Sequence, residues 1–191
     1  MRYEGLSLVP ALTHLPASGR LSVPWKNGGG ETQEIAVFPD GAGMDDFQWR
    51  ISQAVVSAAG AFSVFPGIDR HLTLLSGSLR LDINGVRRDL CPGESVRFAG
   101  DVPVRGDPAG THATDLNIMT RRGAFAAEVA EIAPGGPVTC GAGTCFIFAL
   151  APAKVAGQTL AAHDVLRIED VENTQLHATG GPVLLIRIFR V

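Results

Sequence analysis

The chain has 191 residues, 46% of them hydrophobic, and a net charge of −3 with acids and bases interspersed. That content fills the core of one large domain or two small packed ones and offers no basic face to nucleic acid or an anionic membrane. The start Met1-Arg2-Tyr3-Glu4-Gly5 lacks the apolar stretch of a secretory signal and no apolar run approaches a membrane span, so a cytoplasmic protein is expected.

The 23 glycines and 12 prolines break the chain into short apolar segments, which suits strands joined by turns. In chain order, the first unusual stretch is Pro24-Trp25-Lys26-Asn27-Gly28-Gly29-Gly30-Glu31-Thr32. Consecutive glycines admit positive φ and close approach of backbone N–H groups, and Lys26 and Asn27 add donors, a combination that suits a carboxylate. A plain glycine turn with a solvated lysine is the competing reading. The lysine precedes the glycines and GxxxxGK[ST] is absent, which argues against a phosphate loop.

A strand is expected over Phe47 to Ser52, where the pleat puts Arg50 and Ser52 on one face and Trp49 and Ile51 on the other. Arg50 inside a barrel would need a partner or a ligand, and a guanidinium takes a carboxylate bidentately; Arg50 outside would be solvated. Next, Phe62 to Arg70 joins two phenylalanines, Phe62 and Phe65, to Ser63, a Pro-Gly turn and the Asp69-Arg70 pair. Ser63 has no GxSxG context, so serine hydrolysis is not indicated. His71 follows at the entrance to a strand over Leu72 to Leu75 and has either a structural or an acid/base role.

The clearest hairpin runs from Leu79 to Leu90, with alternating leucines and Asn84-Gly85 as its two-residue turn. Strands are expected over Ser95 to Phe98 and Leu116 to Met119, the latter with Asp115 and Asn117 sharing one face. The spacing suggests one helix, Ala124 to Ile132. Cys140 and Cys145 lack the further ligands of a zinc site, and with Cys91 they make an odd count that argues against a disulfide framework. Strands over Cys145 to Leu150, Val165 to Ile168 and Val183 to Phe189 complete the chain. An exposed edge such as Val183 to Phe189 would permit pairing between chains, hence a homodimer.

Sliding the chain by 70 residues lays Glu94-Ser95-Val96-Arg97-Phe98 on Asp164-Val165-Leu166-Arg167-Ile168, Leu116 on Ile186 and Ile118 on Ile188. A duplicated β unit accounts for both matches without a gap. Two units follow, residues 1–122 and a smaller 123–191. The polar anchors between Phe62 and Arg70 have no counterpart in the second copy, so one ligand site, in the first barrel, is expected.

PWKNGGGET, WRIS, GAFSVFPGIDRHLTLL and DLNIM, in this order between residues 24 and 119, resemble the HutD/Ves family. The resemblance implies an all-β, cupin-type double β barrel (a bicupin) in a protein associated with histidine utilisation. It further implies a small acidic metabolite, of the urocanate or formylglutamate kind, as partner and a moderating or sensing role. No cofactor is implied: the HxH and downstream ligands of metal-dependent cupins are missing around Arg70-His71-Leu72-Thr73, so no metal is expected. The ligand candidates it carries over are Trp25, Lys26, Asn27, Gly28, Gly29, Gly30, Glu31, Thr32, Arg50, Ser52, Ser63, Phe65, Arg70, Asp115 and Asn117. Lys26 and Arg50 are expected to hold the carboxylate. An enzyme of the same barrel, a metal-independent hydrolase or isomerase with Glu31 or His71 as acid/base, is the alternative, and a pure protein-interaction module the third class.

Overall fold

The computed structural model describes residues 11–141, 143–169 and 174–191, and the regular elements among them are all β-strands. The start Met1 to Gly5 lies outside the described residues, among which no helix is long and apolar enough to cross a membrane.

The described residues divide into two compact units, one of Arg20–Ala127 with Val191, the other of those up to Gly19 and from Glu128 to Arg190. In the first, one sheet runs in the order β2 (Ser22–Pro24), β3 (Gly30–Phe38), β4 (Trp49–Val56), β11 (Ala113–Arg121), β6 (Ile68–Ser76), β9 (Ser95–Ala99). Its second sheet is β5 (Gly60–Ala61), β10 (Val104–Pro108), β7 (Leu79–Ile83), β8 (Val86–Leu90). Alternation puts Val56, Leu72, Leu74, Leu79, Leu81 and Val104 into one buried cluster. The hairpin turn forms as its sequence requires, with Asn84 at φ 50° and Gly85 at φ 81°, and the Gly85 N–H donates to Asp82 Oδ1 at 2.7 Å.

In the second unit, one sheet is β1 (Ala11–Leu15), β17 (Val165–Glu169), β14 (Thr144–Ala149), β19 (Val183–Arg190), β12 (Phe125–Ile132, from Glu128 onward in this unit). The other is β13 (Pro137–Cys140), β18 (Thr174–Gly180), β15 (Ala153–Val155), β16 (Gln158–Leu160). The orders β4-β11-β6-β9 and β12-β19-β14-β17 correspond, as do β5-β10-β7-β8 and β13-β18-β15-β16. The 70-residue match of the sequence therefore pairs β9 with β17 and β11 with β19, and the architecture is the all-β, cupin-type double barrel.

Three expectations change. Where a helix is expected over Ala124 to Ile132, Phe125–Ile132 is a strand: its alanines and glutamates favour a helix only weakly, and a place beside β19 overrides them. The division falls at Ala127, not 122, and β1 belongs with the later residues because Leu12 pairs with Ile168 and His14 with Leu166. Val183 to Phe189 is not an edge, since β19 lies between β14 and β12.

Candidate functional site

The neighbouring strands β4, β11 and β6 bring the site together by register. Asn117 stands opposite Ser52 on β4 and Leu72 on β6, Met119 opposite Arg50 and Arg70, and Asp115 opposite Ala54 and Leu74. Residues directly opposite one another share a face, so Arg50, Ser52, Arg70, Asp115 and Asn117 converge on one side of the sheet. Glu34 and Thr32 of β3, opposite Ser52 and Ala54, join them. Ser52, Arg70, Asp115 and Asn117 are all buried.

Arg70 is the unusual member. Its side chain is buried, yet no carboxylate among the described residues lies in ion-pair distance of it, and its one polar contact is Nε to Asn117 Oδ1 at 3.4 Å. Aromatic rings take the place of a counter-ion: the guanidinium carbon is 5.0 Å from the Phe98 ring centroid, 5.5 Å from Phe62 and 5.7 Å from Phe65. Burial pulls its pKa down to about 10, with Asp115 opposing and Arg50 adding to the fall, so it stays cationic at neutral pH. Arg50, by contrast, is already matched, its Nε donating to Glu34 Oε2 at 2.8 Å and Nη1 to Ser52 Oγ at 3.4 Å.

Asp115 is 1% exposed and its Oδ1 has no hydrogen-bond partner among the described residues. Burial pushes its pKa up to about 7 against the pull of Arg70. The barrel thus holds a cation without a paired anion and a carboxyl poised between its two protonation states.

The Pro24-to-Thr32 segment is a packed turn between β2 and β3. The Trp25 N–H donates to the Gly30 carbonyl at 2.9 Å, the Gly28 N–H to the Trp25 carbonyl at 3.0 Å, and the Gly29 N–H to Asn27 Oδ1 at 3.0 Å. Gly28 has φ 70°, and a Cβ on Gly30 would run into the Val55 carbonyl oxygen. These glycines thus serve the turn itself; Lys26 is exposed and Asn27 spends its carboxamide oxygen locally. Trp25 connects the turn to the site, its Nε1–H donating to Thr32 Oγ1 at 2.7 Å and its ring meeting Phe62 edge-on at 5.9 Å. Glu31 alternates with Thr32 and takes the other face, and Ser63 is exposed in the loop between the two phenylalanines.

His71 also takes the face opposite to Arg70. Its Nδ1 accepts from Arg97 Nε at 3.2 Å, its Nε2 has no partner among the described residues, and burial with Arg97 nearby lowers its pKa to about 4. It borders a cavity of about 340 Å³ together with Arg97, Thr120 and Phe125. Asp69 is drawn instead to Arg122, at 2.7 Å. Among the described residues no group of three or more His, Cys, Asp or Glu is arranged to hold a metal ion. Sequence reasoning missed Glu34 and Phe98: the first follows from period two after Thr32, the second only from the β6–β9 register that sets Phe98 opposite Arg70.

The model of the HutD family matches residues 18–186. The chain belongs to the HutD family. Among curated relatives, Protein Ves of Citrobacter koseri is 37% identical over 143 residues, 73% of each chain. A 21.2 kDa protein of the hutC 3′ region of Pseudomonas putida is 34% identical over 155 residues, 77% of this chain and 81% of that one. Among solved structures, HutD from Pseudomonas fluorescens SBW25, in a formate condition, matches with a TM-score of 0.85 at 29% identity, covering 95% of this chain and 100% of that chain.

Proposed function

We propose that this HutD-family chain binds a small carboxylate metabolite in its first barrel and thereby senses or moderates histidine utilisation. The observation that carries this reading is Arg70, a buried guanidinium with aromatic neighbours and, among the described residues, no carboxylate in ion-pair distance. An unpaired buried charge is costly to fold around, and a ligand carboxylate would offset that cost with the bidentate geometry a guanidinium favours. Phe62, Phe65 and Phe98 suit the apolar part of a ligand such as urocanate or formylglutamate. The hutC-region relative and the family's HutD from Pseudomonas fluorescens support a link to that pathway. The weight moves from Lys26 and Arg50 to Arg70, because Lys26 is solvated and Arg50 is satisfied by Glu34.

A sensor needs only micromolar to millimolar affinity, about 4 to 8 kcal/mol. Metal-stripped protein is screened by thermal shift and calorimetry against formate, urocanate and formylglutamate, and assayed for turnover of the last two. The reading predicts saturable stabilisation without turnover. Arg70→Met, which keeps the volume and removes the charge, should fold with undiminished stability and lose at least roughly tenfold in affinity, the value of one charge-assisted hydrogen bond. Carboxylate affinity unchanged in Arg70→Met would exclude this site. Turnover of either metabolite would favour the hydrolase or isomerase reading, for which Asp115, with a pKa near working pH, is the acid/base group beside Arg70.

A further inference from the structure

The carboxylate site proposed above contains a second group that neither the turn motif nor Arg70 accounts for. Asp115 is the next inward residue along β11 from Asn117, the residue Arg70 Nε touches, and its Oδ1 faces no donor. A buried carboxylate normally collects donors, so an oxygen left without one is the observation to explain. The charged groups around it are few: Arg70 from β6, Arg50 from β4, and Glu34 from β3, which is occupied with Arg50. Leu74 and Ala54 stand directly opposite it, and Leu79, Leu81 and Val104 of the other sheet are apolar.

Charge balance then restricts what can bind. With Asp115 ionised, Arg70 and Asp115 sum to zero and an entering anion would face a buried carboxylate. With Asp115 neutral, the interior carries one uncompensated positive charge and gains a hydroxyl donor. We propose that Asp115 is the second arm of the site: as a carboxylic acid it donates to one oxygen of the ligand carboxylate while Arg70 holds the other, so the anion is taken up together with a proton. The site is therefore specific for a carboxylate anion and discriminates against neutral amides, which carry no charge for Arg70.

The inference rests on the carboxylate reading, and the test separates the two. Formate and formylglutamate, neither of which has a group titrating in the window used, are titrated calorimetrically from about pH 6 to about pH 9. His71, with its pKa near 4, and Arg70, near 10, are also silent across most of it. Wild-type affinity is expected to be flat at the acid end, with no proton uptake, and to fall about tenfold per pH unit above about pH 7, where uptake rises to one proton per molecule bound, read in buffers of different ionisation enthalpy. Asp115→Asn, whose amide is a permanent donor, should bind with no pH slope and no proton uptake. A wild-type protein that binds with flat affinity and no proton uptake, or an Asp115→Asn variant with the wild-type slope, overturns the role of Asp115 and leaves the carboxylate site standing. Absence of binding by wild type at every pH overturns both.

Discussion

At the scale of single residues, the site is a set of side chains whose neighbours leave work undone. Arg50 is satisfied by Glu34 and Ser52, whereas Arg70 has three aromatic rings and one long hydrogen bond. Asp115 shows the same incompleteness, and its titration has a consequence for folding. Its native pKa, about 7, lies above its ordinary value of 3.8, so between these the folded state holds more protons than the unfolded one and stability falls as pH rises. His71, lowered to about 4, acts in the opposite sense between about 4 and its ordinary 6.5, a contribution that cancels when a variant is compared with wild type at each pH. Asp115→Asn should therefore melt higher than wild type, most above about pH 7 and by little near pH 4. Melts showing an equal difference at both ends would mean that Asp115 is not held above its ordinary pKa. That Arg50 shares a face with Ser52, and Asp115 with Asn117, was legible from period two; that this face points inward was not. Nor was the absence of a carboxylate partner for Arg70 among the described residues, because it depends on what β9 and the Phe62 loop bring to it.

At the scale of elements, local sequence signals were reliable where a turn dictated them and failed where a neighbour did. Asn84-Gly85 specifies its own hairpin, since both residues must take positive φ. The Trp25-to-Gly30 stretch is likewise a turn, and its Gly30 answers to the Val55 carbonyl and to the Trp25 ring. The strand β12 illustrates the failure: Ala126, Ala127 and Ala130 carry no strong strand signal, and its place beside β19 settles the conformation. Ala130 is exposed there, so Ala130→Thr should hold or raise stability by a few tenths of a kcal/mol in denaturant titration, as a β-branched residue does on a strand. A loss of similar size, the response of a helix, would contradict the strand.

At the scale of the whole chain, duplication explains the strand orders, and divergence between the copies explains why one of them carries the chemistry. The first unit keeps Arg70, Asp115 and Asn117 within its sheet. In the second, the β14–β19 register puts Leu185 opposite Ile147, where Asp115 stands opposite Leu74 in the first, and both are part of an apolar core with Val138, Cys140, Cys145 and Leu166. Arg187, in the position of Asn117, is held by Glu128. The 70-residue match made the duplication readable from sequence, while the difference between a polar and an apolar interior needed the register of each sheet. The measurement that tests the central claim most directly is the calorimetric stoichiometry of formylglutamate binding to wild type and to Arg70→Met. One molecule bound per chain, lost in a folded Arg70→Met, is the predicted result. Two equivalent molecules per chain, or one retained without Arg70, would contradict a single carboxylate site built on that guanidinium.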